Sequence, residues 1–319
     1  MSYEVINVSR KKLDDMKDHY RSSLKATVPQ GAIFSAKTAV GCHVTAYQSG
    51  KVLFQGKEAS KEAAQWQNES STPKHSLATS TTQKSHVDNH SYYPPNNLET
   101  LTILGSDETG TGDYFGPMTV ACVHLTAEQM KTIDSWGVRD SKTIKDADIR
   151  DLAPKLLKEC IYSLLILKND KYNHMQKKGM NQGEMKALLH HRAIINVMTT
   201  CKEKNLDFDG VLVDQFVTPS GYFKYLSNNG TTWSAKKPIY FATKAESKHP
   251  AVATASILAR YAFLKEMDTL SKKFGVTIPK GAGPHVDLAA KEIIQQYGKE
   301  TLYSITKWHF SNTQRALAL

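Results

Sequence analysis

Residues 101–117 read Leu101-Thr-Ile-Leu-Gly105-Ser-Asp107-Glu108-Thr-Gly110-Thr111-Gly112-Asp113-Tyr-Phe-Gly116-Pro117. Leu101–Ser106 is a short apolar run of strand character. Gly110-Thr111-Gly112 punctuates it as a turn, and Pro117–Leu125 reads as a second strand. Asp107 and Glu108 stand where the first strand meets that turn. Adjacent residues of a flat strand point to opposite faces, so the two acids share one site only if the chain turns at them.

Three further strands follow this pair: Ile161–Leu167, Val211–Val213 ending at Asp214, and Ile239–Ala242 with Glu246 shortly after it. Helical periodicity covers Glu184–Lys204, with Met185, Leu188, Leu189, Ile195 and Met198 on one face. A long helix starts at Pro250, a residue suited to a first turn, and carries Ile257, Leu258, Tyr261 and Leu264. Another runs from Val286 to Tyr297. The order predicts an α/β unit, a mixed five-stranded sheet flanked by helices.

If the first, fourth and fifth strands are parallel, Asp107, Glu108, Asp214 and Glu246 gather at one edge, where open α/β sheets build their sites. Any one of these acids taken alone reads more simply as a solvated turn residue or a helix cap. Four at one edge repel each other and pay desolvation, and a divalent cation offsets both effects. Mg²⁺ takes oxygen ligands and bridges to substrate phosphates. Two such ions about 3.5–4 Å apart serve phosphodiester cleavage. The glycines do not form a dinucleotide fingerprint. Their spacing is G-x-G-x-x-x-G, strand rather than helix follows, and two acids precede them. They suit close approach of backbone to a sugar-phosphate chain.

The 319 residues carry 41 Lys and Arg against 31 Asp and Glu, a net charge of +10. That excess fits a polyanionic partner, nucleic acid foremost, and equally a merely soluble basic protein. Cys42, Cys122, Cys160 and Cys201 lie too far apart for a zinc ribbon or a disulfide framework, which predicts reduced thiols. No apolar run approaches the ~20 residues of a membrane span, and the first residues lack a signal-peptide stretch. A cytoplasmic protein, with no membrane partner, is expected. With no heptad or pairing element in view, a monomer is the default.

Between residues 67 and 98 the chain turns rich in Ser, Thr, Asn, Gln, His and Pro, and reads as a flexible linker. Its histidines, His75, His86 and His90, lack metal-ligand spacing. Residues 1–66 form a small α+β unit. Ser9 caps a helix whose stripe is Leu13, Met16, Tyr20 and Leu24. Strands follow at Ala32–Ala36, Thr38–Gln48 and Lys51–Gln55, the last two joined by a tight turn at Ser49-Gly50. Lys57–Trp66 reads as a closing helix. Ten basic against six acidic residues in this unit suit phosphate binding. The expected domains are thus 1–66, the linker 67–98, and 99–319.

The segment Gly105–Pro117 closely resembles the signature of type 2 ribonucleases H. Its GTG and DYFGP forms are similar to ribonuclease HIII rather than ribonuclease HII, which has GRG at the turn. Arg139-Asp-Ser141-Lys142, Val213-Asp214-Gln-Phe216, Lys244-Ala-Glu246-Ser-Lys248, Ala-Ser256-Ile-Leu-Ala-Arg260 and Gly281-Ala-Gly283 extend the resemblance over nearly all of residues 99–319. Tyr47–Gly56 resembles part of the TATA-binding-protein-like domain of that family.

The resemblance implies an RNase H-like fold. It implies endonucleolytic cleavage of the RNA strand of RNA/DNA hybrids, leaving 5′-phosphate and 3′-hydroxyl ends. It makes Asp107, Glu108, Asp214 and Glu246 the catalytic, metal-binding tetrad for Mg²⁺ or Mn²⁺, two ions with substrate bound. It also implies nucleic-acid contacts from Gly110, Thr111, Gly112, Lys142 and Ser256, the glycine-turn backbone meeting ribose 2′-hydroxyls. Ser256 reads equally as a helix hydroxyl bonded to its own preceding turn. Thr111, in place of the arginine of GRG, speaks against strong cleavage at isolated ribonucleotides. Two alternatives remain open: a ribonuclease HII-like enzyme that removes single ribonucleotides from duplex DNA, and a non-catalytic hybrid-binding protein. Two histidines (His285 and His309) and two aromatics (Trp308 and Phe310) read as structural. The cluster Lys168, Lys171, Lys177, Lys178, Lys186, His190, His191 and Arg192 reads as a hybrid-binding flank or as a solvated helix face.

Overall fold

A computed structural model describes residues 3–25, 27–29, 31–56, 58–67, 90–138 and 144–319. The chain divides into two compact units, Met1–Thr81 and Thr82–Leu319.

The first unit runs β1 (Tyr3–Asn7), α1 (Arg10–His19), β2 (Ala32–Lys37), β3 (His43–Tyr47), β4 (Lys51–Gln55) and α2 (Ala59–Gln67). Its sheet is antiparallel throughout, in the order β1-β4-β3-β2. Alternate strand residues Phe34, Ala36, Val44, Ala46, Val52 and Phe54 pack with Leu13, Met16, Ala59 and Ala63 of the helices. Ser9 caps α1 by accepting from Lys12 N–H at 3.3 Å.

Three local readings are corrected. β1, a strand with one buried residue, is added; so short and exposed a segment carries too little alternation to be read. α1 stops before Leu24, because Arg21-Ser22-Ser23 tighten into a 3₁₀ turn and serines compete for backbone groups. The strand expected from Thr38 starts at His43, because Thr38 Oγ1 accepts from Cys42 N–H and Gly41 N–H bonds the Thr38 carbonyl, closing a turn. The turn at Gly50 forms as read, its N–H bonded to the Tyr47 carbonyl. Lys57 lies outside the described residues.

The second unit runs β5 (Ile103–Thr109), β6 (Met118–His124), α3 (Ala127–Ser135), α4 (Asp146–Glu159), β7 (Ile161–Leu167), α5 (Asn169–Lys177), α6 (Gln182–Glu203), β8 (Gly210–Asp214), α7 (Pro219–Asn228), β9 (Ile239–Ala242), α8 (Pro250–Phe274), α9 (Pro284–Tyr297), α10 (Lys299–Ile305) and α11 (Ser311–Ala318). The sheet order is β7-β6-β5-β8-β9. β6 pairs antiparallel with β5 and β7, while β8 is parallel to β5 and β9. The carboxyl ends of β5, β8 and β9 therefore share one edge.

Each face of this sheet has its own core. Leu104, Val120, Cys122, Val211 and Val213 pack against α6 and α7. Ala121 and Val123 pack against α3, α4 and α8, and Ile103, Leu212 and Ala242 meet Val252 of α8. α8 crosses β5 so closely that a Cβ on Gly105 would overlap the backbone of Ala251 and Val252. A third cluster joins Tyr114 and Phe115 to α8, α9, α10 and α11, with Trp308 and Phe310 packed on it.

Within the stretch read as linker, residues 90–98 are ordered against the sheet. Tyr92 C=O accepts from Phe241 N–H at 2.9 Å, His90 Nε2 is 2.8 Å from Gln215 Oε1, and Leu98 is buried beside Leu212. His75 and His86 lie outside the described residues. All four cysteines are free thiols. Among the described residues no helix is long and apolar enough to cross a membrane.

Gly105→Ala tests the α8–β5 approach. Overpacking costs about 1–3 kcal/mol or more, so urea unfolding should show a lower midpoint with an unchanged slope.

Candidate active site

Strand alternation decides where each acid points. β5 continues through Thr109, and the turn begins only at Gly110, where φ is +91°. The expected bend at Asp107-Glu108 is therefore absent. Leu104, Ser106 and Glu108 face α6, while Ile103, Gly105 and Asp107 face α8.

Asp214 ends β8. Ser106 lies opposite Val213 in the parallel register, so Asp107 and Asp214 are the next neighbours along it. Leu212 belongs to the α8-side core and Val213 to the α6-side core. Alternation thus places Asp214 on the α8 side with Asp107. Glu246 sits, buried, in the 3₁₀ turn Ala245–Ser247 between β9 and α8. That turn touches Asp214 directly, since Ala245 N–H donates to Asp214 Oδ1 at 2.8 Å. It is entered through Lys244, whose φ of +53° is rare for a side chain with a Cβ and is held by the turn around it.

The electrostatics of the two neighbouring acids are opposite. Burial and then the adjacent charges of Asp214 and Glu108 push Asp107 well above the usual carboxylate range. The Ser256 hydroxyl and the Glu108 N–H, at 2.7 Å, oppose that shift by hydrogen-bonding its carboxylate. Burial also works against ionised Glu108, but bonds and charge from His190 and Lys186 outweigh it and hold Glu108 below its usual value. Lys186 Nζ lies 2.8 Å from Glu108 Oε1, and His190 Nε2 lies 2.9 Å from Oε2.

Lys186 and His190 are neighbours of Glu108 that the sequence alone places in a basic flank. The available signal was their i,i+4 spacing on one helix, with Glu108 on the alternate strand face. The Ser256 hydroxyl is hydrogen-bonded to the Asp107 carboxylate.

The glycine turn divides its roles. A Cβ on Gly110 would strike the Pro117 carbonyl and the Phe263 ring, whereas one on Gly112 would meet nothing within 4 Å. Gly110 thus packs, and Gly112 leaves backbone open to a ligand. Gln182 Nε2 donates to the Thr111 carbonyl at 2.9 Å and fixes the turn. The residues after it are gripped by the C-terminal segment. Asp113 Oδ1 accepts from Gly281 N–H, and Gly116 N–H donates to Ile305 C=O. Buried Lys307 donates from Nζ to the Asp113 and Gly116 carbonyls, each at 2.8 Å. His309 stacks on Tyr172 and His285 bonds the Lys280 carbonyl, both away from the acids' contacts described above. Lys142 lies outside the described residues.

A divalent cation has donors of the right chemistry here: carboxylates from adjacent parallel strands, Asp107 buried and Asp214 half-buried, whose mutual repulsion a cation would relieve. Among the described residues no three His, Cys, Asp or Glu side chains already stand together as a formed metal site. Glu108, turned to α6, accounts for part of that.

A mixed sheet of this order, with acids at the carboxyl ends of its parallel strands and a long helix across the face they share, is the ribonuclease H architecture. Residues 104–313 match the family model described as Ribonuclease HII, and residues 3–79 match a domain of unknown function, DUF3378. The chain is 50% identical over 315 residues to ribonuclease HIII of Bacillus mycoides (strain KBAB4), covering 99% of this chain and 97% of that protein. It is 49% identical over 319 residues to ribonuclease HIII of Bacillus subtilis (strain 168), covering 100% and 98%. Its structure is similar to that of Bst-RNase HIII in complex with Mn²⁺, with a TM-score of 0.67 and 40% identity over 99% of this chain and 98% of that one. The chain belongs to the ribonuclease HII family and, within it, to the ribonucleases HIII. It is a hydrolase with ribonuclease H endoribonuclease activity.

Two predictions follow from the charges. An acid whose folded pKa is raised binds more protons folded than unfolded, so its contribution to stability falls as pH rises above the unfolded value. Asp107→Asn should therefore melt higher than the parent in EDTA at neutral pH, by about 2–4 °C per 1 kcal/mol relieved, with the gain shrinking toward pH 4. Lys307 is the reverse case. Burial, opposed by Asp113, lowers it from 10.5 to about 7. Between those values the unfolded chain binds more protons, so stability should rise with pH. Urea midpoints between pH 7 and pH 10 should climb less in Lys307→Met than in the parent.

Proposed function

We propose that this enzyme cleaves the RNA strand of RNA/DNA hybrids by hydrolysis that depends on divalent cations, Mg²⁺ or Mn²⁺, leaving 5′-phosphate and 3′-hydroxyl ends. The single observation that carries the reading is the pair Asp107 and Asp214 on adjacent parallel strands, Asp107 buried and Asp214 half-buried, with burial and then charge repulsion pushing Asp107 upward. Such a pair is costly unless a cation uses it.

Asp107 and Asp214 would be the central ligands, with Glu246 beside them. Glu108, although it faces α6, lies close enough for its charge to raise Asp107 and would join the set at the sheet edge from that side. Bound cations would supply the charge that activates water and neutralises the leaving oxygen. The chain's own residues do the positioning. Ser256 and the Glu108 N–H orient the Asp107 carboxylate. Ala245 N–H orients Asp214. The open backbone at Gly112 suits a ribose 2′-hydroxyl, the group that separates RNA from DNA. Thr111, fixed through its carbonyl by Gln182, would lie along the same strand. Lys142 would contact phosphate.

The N-terminal unit would hold the hybrid. The sheet residues that alternate with its core, among them Tyr3, Val5 and Ile33, leave large exposed apolar side chains on the face opposite α1 and α2. Tethering such a binder raises the local substrate concentration without entering the chemistry.

An end-labelled RNA/DNA hybrid incubated with Mg²⁺ or Mn²⁺ tests the reading. Cleavage should stop in EDTA, leave single-stranded RNA largely intact, and be weak on a duplex with one embedded ribonucleotide. Asp107→Asn should lower kcat on the order of 10²–10³-fold or more, as losing one charge-stabilising group does. Removal of residues 1–66 should raise KM and leave the metal requirement intact. Folded protein that binds hybrid without cutting it in either metal would refute the assignment.

A further inference from the structure

Glu108 is held by a lysine and a histidine of one helix, and its surroundings are built in some detail. Lys186 and His190, one turn apart on α6, take one carboxylate oxygen each, at 2.8 and 2.9 Å. His190 is fully buried, and Lys186 and Glu108 keep only 12% of their side-chain surface exposed. The imidazole is fixed from three sides. Its Nδ1 is hydrogen-bonded to Ser106 Oγ at 2.7 Å, Ser106 also donates to the Ala121 carbonyl, and the ring stacks on Phe216 with centroids 5.1 Å apart. The same Phe216 ring lies 4.2 Å beneath Lys186 Nζ. Phe216 stands two residues after Asp214, so the segment that follows one acid of the site also supplies the floor of the clamp that holds another.

We propose that Lys186 is an internal cation that competes with the divalent metal for Glu108, so that this clamp sets the cation concentration the enzyme requires. This rests on Glu108 being a metal ligand. The ammonium occupies Glu108 Oε1 in the free protein, and metal binding through that carboxylate must displace it. His190 is the positioning residue, buried and braced by Ser106 and Phe216. It keeps the second oxygen in place while Lys186, on a flexible four-carbon stem, swings off. Such an exchange weakens cation binding in the absence of substrate. It also returns a positive charge to the edge of the site when a cation arrives, where a phosphate can use it.

The experiment is a Mn²⁺ titration of the full-length protein, without nucleic acid, read from the loss of the free Mn²⁺ signal in electron paramagnetic resonance. Lys186→Met and Lys186→Gln remove the competitor and should each bind Mn²⁺ about fivefold more tightly, or more (about 1 kcal/mol). Lys186→Arg, which keeps the charge, should stay near the parent. Lys202→Met, an exposed lysine at the far end of the same helix, controls for net charge and should move Kd little. In activity assays the metal requirement of Lys186→Met should shift to lower concentration by a similar factor.

Two variants distinguish failure of the inference from failure of the reading beneath it. If Glu108→Gln binds Mn²⁺ as the parent does, Glu108 is no ligand and both fall. If Glu108→Gln weakens binding but neither Lys186→Met nor Lys186→Gln tightens it, the competition alone is wrong. If it holds, Glu108→Gln should cancel the effect of Lys186→Met in the double variant. Melting each variant in EDTA confirms that the folded protein is being titrated.

Discussion

Two carboxylates on adjacent parallel strands, Asp107 buried and Asp214 half-buried beside it, are the constraint around which the catalytic unit is arranged. Neighbouring strands stand about 4.8 Å apart, and Asp107 and Asp214 are next to one another in the register. Neither burial nor proximity favours the charged pair, and Asp107 shows both effects. The Ser256 hydroxyl and the Glu108 N–H stabilise ionised Asp107, and the Ala245 N–H bonds Asp214. A buried acid beside a second carboxylate is poor design for stability. It is good design for a cation that brings the missing charge, and evolved sites commonly hold this kind of stored cost.

The alternation of β5 turns that cost into organisation. Asp107 and Glu108 are neighbours in sequence, yet one faces α8 and the other α6, and their ionisation is driven in opposite directions. Gly105 lets α8 approach the strand, which brings Ser256 to Asp107. Ser106, on the other side, anchors His190 and through it Glu108. Four consecutive residues, Gly105 to Glu108, therefore set both helices and both acids, and each is of the type its face requires.

Much of this was legible in the sequence, for particular reasons. The five strands of the catalytic unit are apolar runs bounded by turn residues, and the acids at their ends are read directly from them. Proline at position 250 announced α8, and Ser9 announced α1. What escaped reading depends on packing between distant segments. The continuation of β5 through Thr109 is set by its pairing with β6, which extends to Thr109 opposite Thr119, and not by the two acids, which locally disfavour a strand. Residues 90–98 have a linker's composition, yet Tyr92 bonds the edge of β9 and so acquires a partner no local pattern reveals. Lys186 and His190 lie 78 and 82 residues from Glu108 along the chain. Only the strand face of Glu108 and the helix face of α6, taken together, bring them to it.

The C-terminal helices answer a question that the acids leave open, namely what keeps the glycine turn in place when a long polymer pulls on it. A turn with an exposed Gly112 has little packing of its own. Its rigidity comes from either side. On one, Gln182 at the start of α6 holds the Thr111 carbonyl. On the other, Lys307 and Gly281 take Asp113, and Ile305 and Asn169 join Lys307 on Gly116. A lysine buried to that extent costs heavily in desolvation unless its protons are matched. Two carbonyls at 2.8 Å match the two N–H donors of a neutral amine, and burial drives Lys307 toward that form. The pieces of chain that close the turn thus come from the middle and the C-terminal part of the catalytic unit. α6 contributes to the turn through Gln182 and to Glu108 through Lys186 and His190, so one rigid helix sets the spacing between the backbone that would meet the sugar and a carboxylate that would meet the metal.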